Sequence, residues 1–139
     1  MRITEGNDAL LLSVSGNAGK PFRLYQAVFD RAPDKAGMGF WIYHQENGMS
    51  LRTMAKGFMT SPEFAQRYGA NLSNAQFVDS LYHNVLHRDG EAAGVAFHIA
   101  NLEKGMARAD VLTGFSESAE NFAATAQLIG DGFVYTPYG

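Results

Sequence analysis

From Ser73 onward, apolar residues fall at Phe77, Val78, Leu81, Tyr82, Val85 and Leu86, the three- and four-residue spacing of one helix face. Ser73 and Gln76 stand ahead of that run in a capping-box arrangement, so the segment reads as an amphipathic helix with Asp79, His83 and His87 on its polar side. A second helix is expected from just after Pro33 to Gly48. Its counterpart runs from about Glu91 to Gly105, and each glycine sits where a left-handed residue ends a helix. Ser50 can cap a short helix through Met59, and Thr60-Ser61-Pro62-Glu63 starts another that stops near Gly69. The stretch Ala36 to Tyr43 carries apolar residues on several faces, which predicts a central position. The ends read differently. Ala9-Leu10-Leu11-Leu12-Ser13-Val14 and Phe133-Val134-Tyr135 have strand composition without helical periodicity, and are expected to pair as a small sheet, with each other or across a subunit boundary.

The pattern occurs twice. An offset of 57 residues places Leu24-Tyr25 on Leu81-Tyr82, Val28 on Val85, Arg31 on Arg88 and Ala36-Gly37 on Ala93-Gly94. Without a gap it then places Phe40 on Phe97, Ile42 on Ile99, Glu46 on Glu103, Gly48-Met49 on Gly105-Met106, Gly57-Phe58 on Gly114-Phe115, Ser61 on Ser118 and Glu63 on Glu120. A unit of this length is marginal alone and gains a shared core by pairing. The fold class expected is therefore all-α: two pseudo-symmetric four-helix units packed as one domain, with short strand-like segments at the N- and C-terminal ends. A strand-like arm (1–20) leads into the duplicated helical domain (21–126, copy one about 21–69 and copy two about 73–126), and a strand-like tail (127–139) follows.

Composition narrows the functional classes. At 139 residues, 46% hydrophobic and 18% charged, the chain has the makings of one folded domain, and it holds no apolar run long enough to cross a bilayer. A net charge of −3 with scattered basic residues leaves no footprint for nucleic acid or an anionic membrane. The absence of cysteine removes disulfides, thiolate metal sites and cysteine nucleophiles. The first residues lack a basic segment followed by the roughly 7–15 apolar residues of a secretion signal.

Leu24-Tyr25, the Arg31-Ala32-Pro33-Asp34 turn, Gly37, the Phe40-Trp41 pair and the later Phe58-Met59-Thr60-Ser61-Pro62-Glu63-Phe64 run resemble the signature of the bacterial family known as domain of unknown function 4214. The resemblance covers about residues 20 to 126. It implies a helical fold distantly like phycobilisome linker domains, occurrence in secreted and surface proteins beside calcium-binding, adhesin-like or carbohydrate-active modules, and a role in attachment or assembly. The second copy departs from the pattern, with Asp89-Gly90-Glu91 in place of Ala32-Pro33-Asp34 and His98 in place of Trp41.

Among candidate site residues, Arg31 and Arg88 close the first helix of each copy. There they are expected to meet terminal carbonyls and to pair with Asp34 and Glu91, a structural motif. Calcium is the one cofactor left open, through Asp34 or Asp89, although a hard cation needs six or more oxygens and no dense acidic loop occurs. His83 and His87 have the i, i+4 spacing of a metal pair, with Asp79 a turn earlier; a solvated helix face is the expected role and no metal site is assigned. Trp41, Tyr43 and His44, with His98 at the second-copy position of Trp41, are the candidate ligand-binding residues. The rings suit stacking on a sugar or packing on a partner, while core burial competes for Trp41. Glu46, Glu103, Glu63 and Glu120 recur at helix ends, no pair is marked as converging, and no nucleophile elbow or phosphate loop is present, so no enzyme is expected. The expected function is a non-catalytic interaction or attachment module of an extracellular bacterial or phage-borne assembly. The alternatives are a carbohydrate-binding module for cell-surface polysaccharide and a calcium-stabilised domain of a secreted protein. Partners would be other protein chains, polysaccharide, or a second copy joined through terminal strands.

Overall fold

The computed structural model describes the backbone of residues 2–5, 9–12, 19–31, 33–129 and 133–135, and the side chains of residues 19–31 and 33–125. Its body is all-helical. In chain order the helices are α1 (Gly19–Phe29), α2 (Lys35–Glu46), α3 (Leu51–Met59), α4 (Pro62–Tyr68), α5 (Asn74–Leu81), α6 (Ala92–Glu103), α7 (Arg108–Ser116) and α8 (Ala119–Ile129), and one π-helical turn, Tyr82–Leu86, continues α5.

The starts follow local chemistry. The side chains of Asp34, Ser50 and Ser61 accept the N–H of Gly37, Thr53 and Phe64, and Ser73 and Gln76 close a reciprocal capping box on α5. The stops at Gly48 and Gly105 are left-handed, with φ of 100° and 106°. Three left-handed residues among those described are not glycine, Asn71 (φ 57°), Asp30 (φ 53°) and His87 (φ 56°), and the last two occupy the same position of the two copies. They meet each other, His87 Nε2 lying 3.3 Å from Asp30 Oδ1.

The core interleaves both copies. Leu24, Val28, Met54 and Phe58 from the first pack in one cluster with Phe77, Val78, Leu81, Val85, Leu112 and Phe115 from the second. Each such side chain contributes roughly 1.5–3 kcal/mol by leaving water. α3 lies against α7, its counterpart at the 57-residue offset, and α1 touches α3, α7, α8 and the π turn. Polar links cross the same boundary. The Arg23 guanidinium, its side chain 4% exposed, donates from Nε and Nη2 to Glu117 at 2.8 and 2.7 Å and lies over the Phe122 ring. Arg52 of α3 also crosses it, 3.2 Å from Asp110 of α7, while Arg108 of α7 donates within the second copy to the side chain of Asn74 and to the Leu72 carbonyl just before it.

Two expectations are corrected. α2 is not central: it turns Met38, Gly39 and Ile42 inward and flanks the main core, where only its Trp41 reaches the cluster's edge. Its apolar residues spread over several faces because one face packs on α1 and another meets a terminal strand. Arg31 does not pair with Asp34, whose carboxylate caps α2. Arg31 instead donates from Nε and Nη2 to Glu63 of α4, at 3.2 and 2.9 Å. The carbonyl of Val28 near the end of α1 is met by Tyr68 Oη (3.1 Å) and Arg67 Nε (3.3 Å).

At the ends, strands β1 (Arg2–Glu5), β2 (Ala9–Leu12) and β3 (Phe133–Tyr135) form an antiparallel sheet in the order β1-β2-β3. Arg2 is opposite Leu12 and Leu10 opposite Tyr135, and β3 contacts α2. Ser13 and Val14 of the expected first strand lie outside the described residues. No helix among the described residues is long and apolar enough to cross a membrane.

Candidate functional site

A bay lies between the first, second, third and fourth helices of the second copy. In the second copy the walls are Tyr82 and Leu86 of the π turn, Arg88, His98 of α6, Gly114 and Phe115 of α7, and Ser118 and Glu120 at the start of α8. Their first-copy counterparts are Tyr25, Phe29, Arg31, Trp41, Gly57, Phe58, Ser61 and Glu63. Six of the eight pairs are identical, and several of their contacts recur. Tyr25 meets Phe58 edge-on at 5.6 Å and Tyr82 meets Phe115 at 5.0 Å. Arg31 and Arg88 lie over Tyr25 and Tyr82 at 5.0 and 5.4 Å and bind Glu63 and Glu120 with two N–H donors each.

The two differing pairs decide what occupies the bay. In the first copy Phe29 and Trp41 stand 5.5 and 4.8 Å from Phe58, ring to ring, so two aromatic rings pack against it. In the second, Leu86 and His98 are smaller, and a cavity of about 310 Å³ opens to solvent. His98 lies 4.9 Å from Phe115, as Trp41 lies on Phe58, but an imidazole cannot reach as far as an indole. No described residue hydrogen-bonds to the His98 ring. The π turn runs along this wall, where the first copy keeps a regular α-helix through Phe29; such turns insert an extra residue per turn and often border functional sites.

Electrostatics divide the cavity into a polar rim and an apolar floor. Arg88 is held in its charged form by Glu120 and then Glu91, and both carboxyls are pulled below their usual range by hydrogen bonds to Arg88. Burial pushes the Tyr82 phenol up and the His98 imidazole down, favouring the neutral ring. The Ser118 hydroxyl is engaged as a cap, donating to the Phe115 carbonyl (2.7 Å) and accepting the Asn121 N–H (3.2 Å). Gly90 and Gly94 let the Tyr82 ring approach: a Cβ at Gly94 would sit 2.6 Å from its hydroxyl oxygen.

The remaining sequence candidates lie elsewhere. Trp41 is half-buried against Phe58 and Phe40, and His44 rests on Phe40 and Tyr43, with Tyr43 37% exposed. These rings form a row on α2, distant in the chain from His98 and in the other copy. His83 and His87 do not converge: His83 is held by Asp79 on one ring nitrogen and Asp89 on the other, while His87 turns to Asp30. The carboxylates raise the His83 pKa, Asp89 first. Of the structural motif, the Arg88–Glu91 pair forms at 2.7 Å. Tyr82, Leu86, Phe115 and Glu120 as a lining were not singled out from sequence, although the change from Phe29 to Leu86 across the repeat was the available signal.

No curated protein and no solved structure matches this chain. The family described as a domain of unknown function (DUF4214) matches it over residues 22–60 and again over residues 55–125, a range that includes the lining of the second-copy bay. The chain belongs to the DUF4214 family.

Proposed function

We propose that this domain is a non-catalytic interaction module of an extracellular bacterial or phage-borne assembly, built from two pseudo-symmetric helical halves of which one is structural and the other receives a partner. The observation that carries this is the second-copy bay, six of whose eight lining residues are identical at the first-copy positions, and which opens to solvent where Leu86 and His98 stand in place of the rings of Phe29 and Trp41. Duplication followed by loss of the two filling rings yields a scaffold with one vacancy. The surface beside it supports the same reading: on α6 Phe97 is 61% exposed, and Met106 just beyond that helix is 45% exposed. The terminal sheet offers strand edges for contacts with neighbouring chains.

Carbohydrate binding is the second reading, favoured by the exposed Tyr43 ring beside His44 on α2. The test is a glycan array of the purified chain with and without calcium, run with its mass in solution and a hydrolysis panel of glycan and peptidoglycan substrates. Binding or self-association without turnover is the expected result. Turnover of any substrate, abolished by changing a described acid, would overturn the non-catalytic reading.

A further inference from the structure

We propose that the second-copy cavity is a binding site for an indole ring, supplied by a tryptophan side chain of a partner or by a free indole compound. The inference rests on the reading of the domain as an interaction module and adds the chemistry of what it receives. The first copy identifies the occupant, because the matching space there holds the indole of Trp41 against Phe58, framed by Tyr25 and Phe29. In the second copy Phe115 and Tyr82 keep the same T-shaped arrangement, and Leu86 supplies an aliphatic wall. An incoming flat ring therefore finds an edge-and-face environment already built once in this chain.

Size and polarity agree. A volume of about 310 Å³ is at the small end for ligand sites. Engineered apolar cavities of roughly 150 Å³ already hold benzene, so a two-ring group fits where a sugar polymer does not. Two hydrogen-bonding groups of the wall have no partner among the described residues, the Tyr82 hydroxyl and the His98 imidazole, and the imidazole accepts from an indole N–H when neutral. The Arg88 guanidinium at the rim lies over the Tyr82 ring at 5.4 Å and gives the mouth of the cavity a cationic edge.

The test titrates indole, and separately N-acetyltryptophanamide, into the ¹⁵N-labelled full chain, following the backbone amides of Gly114, Phe115 and Ser118. His98→Trp and Leu86→Phe restore the rings of the first copy, each from a different wall, so a folding failure of one leaves the other informative. Saturable shifts at those amides, weakened at least tenfold in either variant, are the expected result. Binding of both probes assigns a side-chain source, and binding of indole alone a free compound. Absence of shifts with both probes, or shifts unchanged by filling the cavity, overturns the site. Should glycan binding or self-association persist in that case, the interaction module stands and only its assigned ligand falls.

Discussion

Glu117→Gln tests whether the two copies fold as one body. The carboxylate sits after α7 in the second copy and takes two N–H donors from Arg23 of α1 in the first, at 2.8 and 2.7 Å. Arg23 is 4% and Glu117 26% exposed at the side chain, so solvent recovers little for the guanidinium and part of the loss for the carboxylate. Breaking one side of a buried pair costs about 3–5 kcal/mol, and the exposed quarter of Glu117 argues for the lower end, about 3 kcal/mol. For a chain of this size that corresponds to a fall in Tm of roughly 10 °C. The assay is urea and thermal unfolding followed both by far-ultraviolet circular dichroism and by the fluorescence of Trp41, the single tryptophan, which reports the first copy. Both signals should move together although the change is in the second copy. A drop under about 3 °C, or a Trp41 transition that stays in place while helicity shifts, refutes the shared core.

Three further outcomes follow from single contacts. Gly94→Ala drives a Cβ against the Tyr82 hydroxyl and should cost about 1–3 kcal/mol in urea midpoint; an unchanged midpoint removes that contact from the argument. Tyr68→Phe deletes a buried donor to the Val28 carbonyl but leaves Arg67 on the same oxygen, so a loss of about 1 kcal/mol is expected, and one above about 3 kcal/mol contradicts the shared acceptor. Ring-proton titration should place His98 below and His83 above the ordinary value of about 6.5, the reverse order being the refutation. The signs oppose. The raised His83 lends stability that is full below its unfolded pKa and fades as pH rises through the folded value, whereas the lowered His98 removes stability as pH falls from about 6.5 through its folded value.

Much of the helical frame was readable because it rests on local chemistry. Ser50, Ser61 and Ser73 cap helices through their own third residue along, and Gly48 and Gly105 end them through backbone freedom, so a window of a few residues suffices. Arg31 and Arg88 were placed correctly at the ends of their helices, but only Arg88 pairs with the acid three residues on. Asp34 is spent on a cap, and the partner shared by both arginines is the acid 32 residues later, Glu63 or Glu120. Nothing local marks that choice. His83 and His87 lie on the exposed side expected of them, and the π turn and the left-handed His87 break the regular helix on which i, i+4 convergence depends.

The sequence by itself determined the 57-residue duplication, the helices and their caps, and, among the differences between the copies, the substitutions of Leu86 for Phe29 and His98 for Trp41. It also sufficed for membership in the DUF4214 family. Tertiary structure alone decided that those two substitutions face one space. Residues 86, 98 and 115 come from the π turn, α6 and α7, and are brought together only when α5 and its π turn, α6, α7 and α8 fold around Phe115. Helical periodicity reports which side of a helix turns inward, but whether an inward space is filled depends on side-chain volumes from several helices at once. That is why a difference legible in the chain became a cavity only in the folded protein.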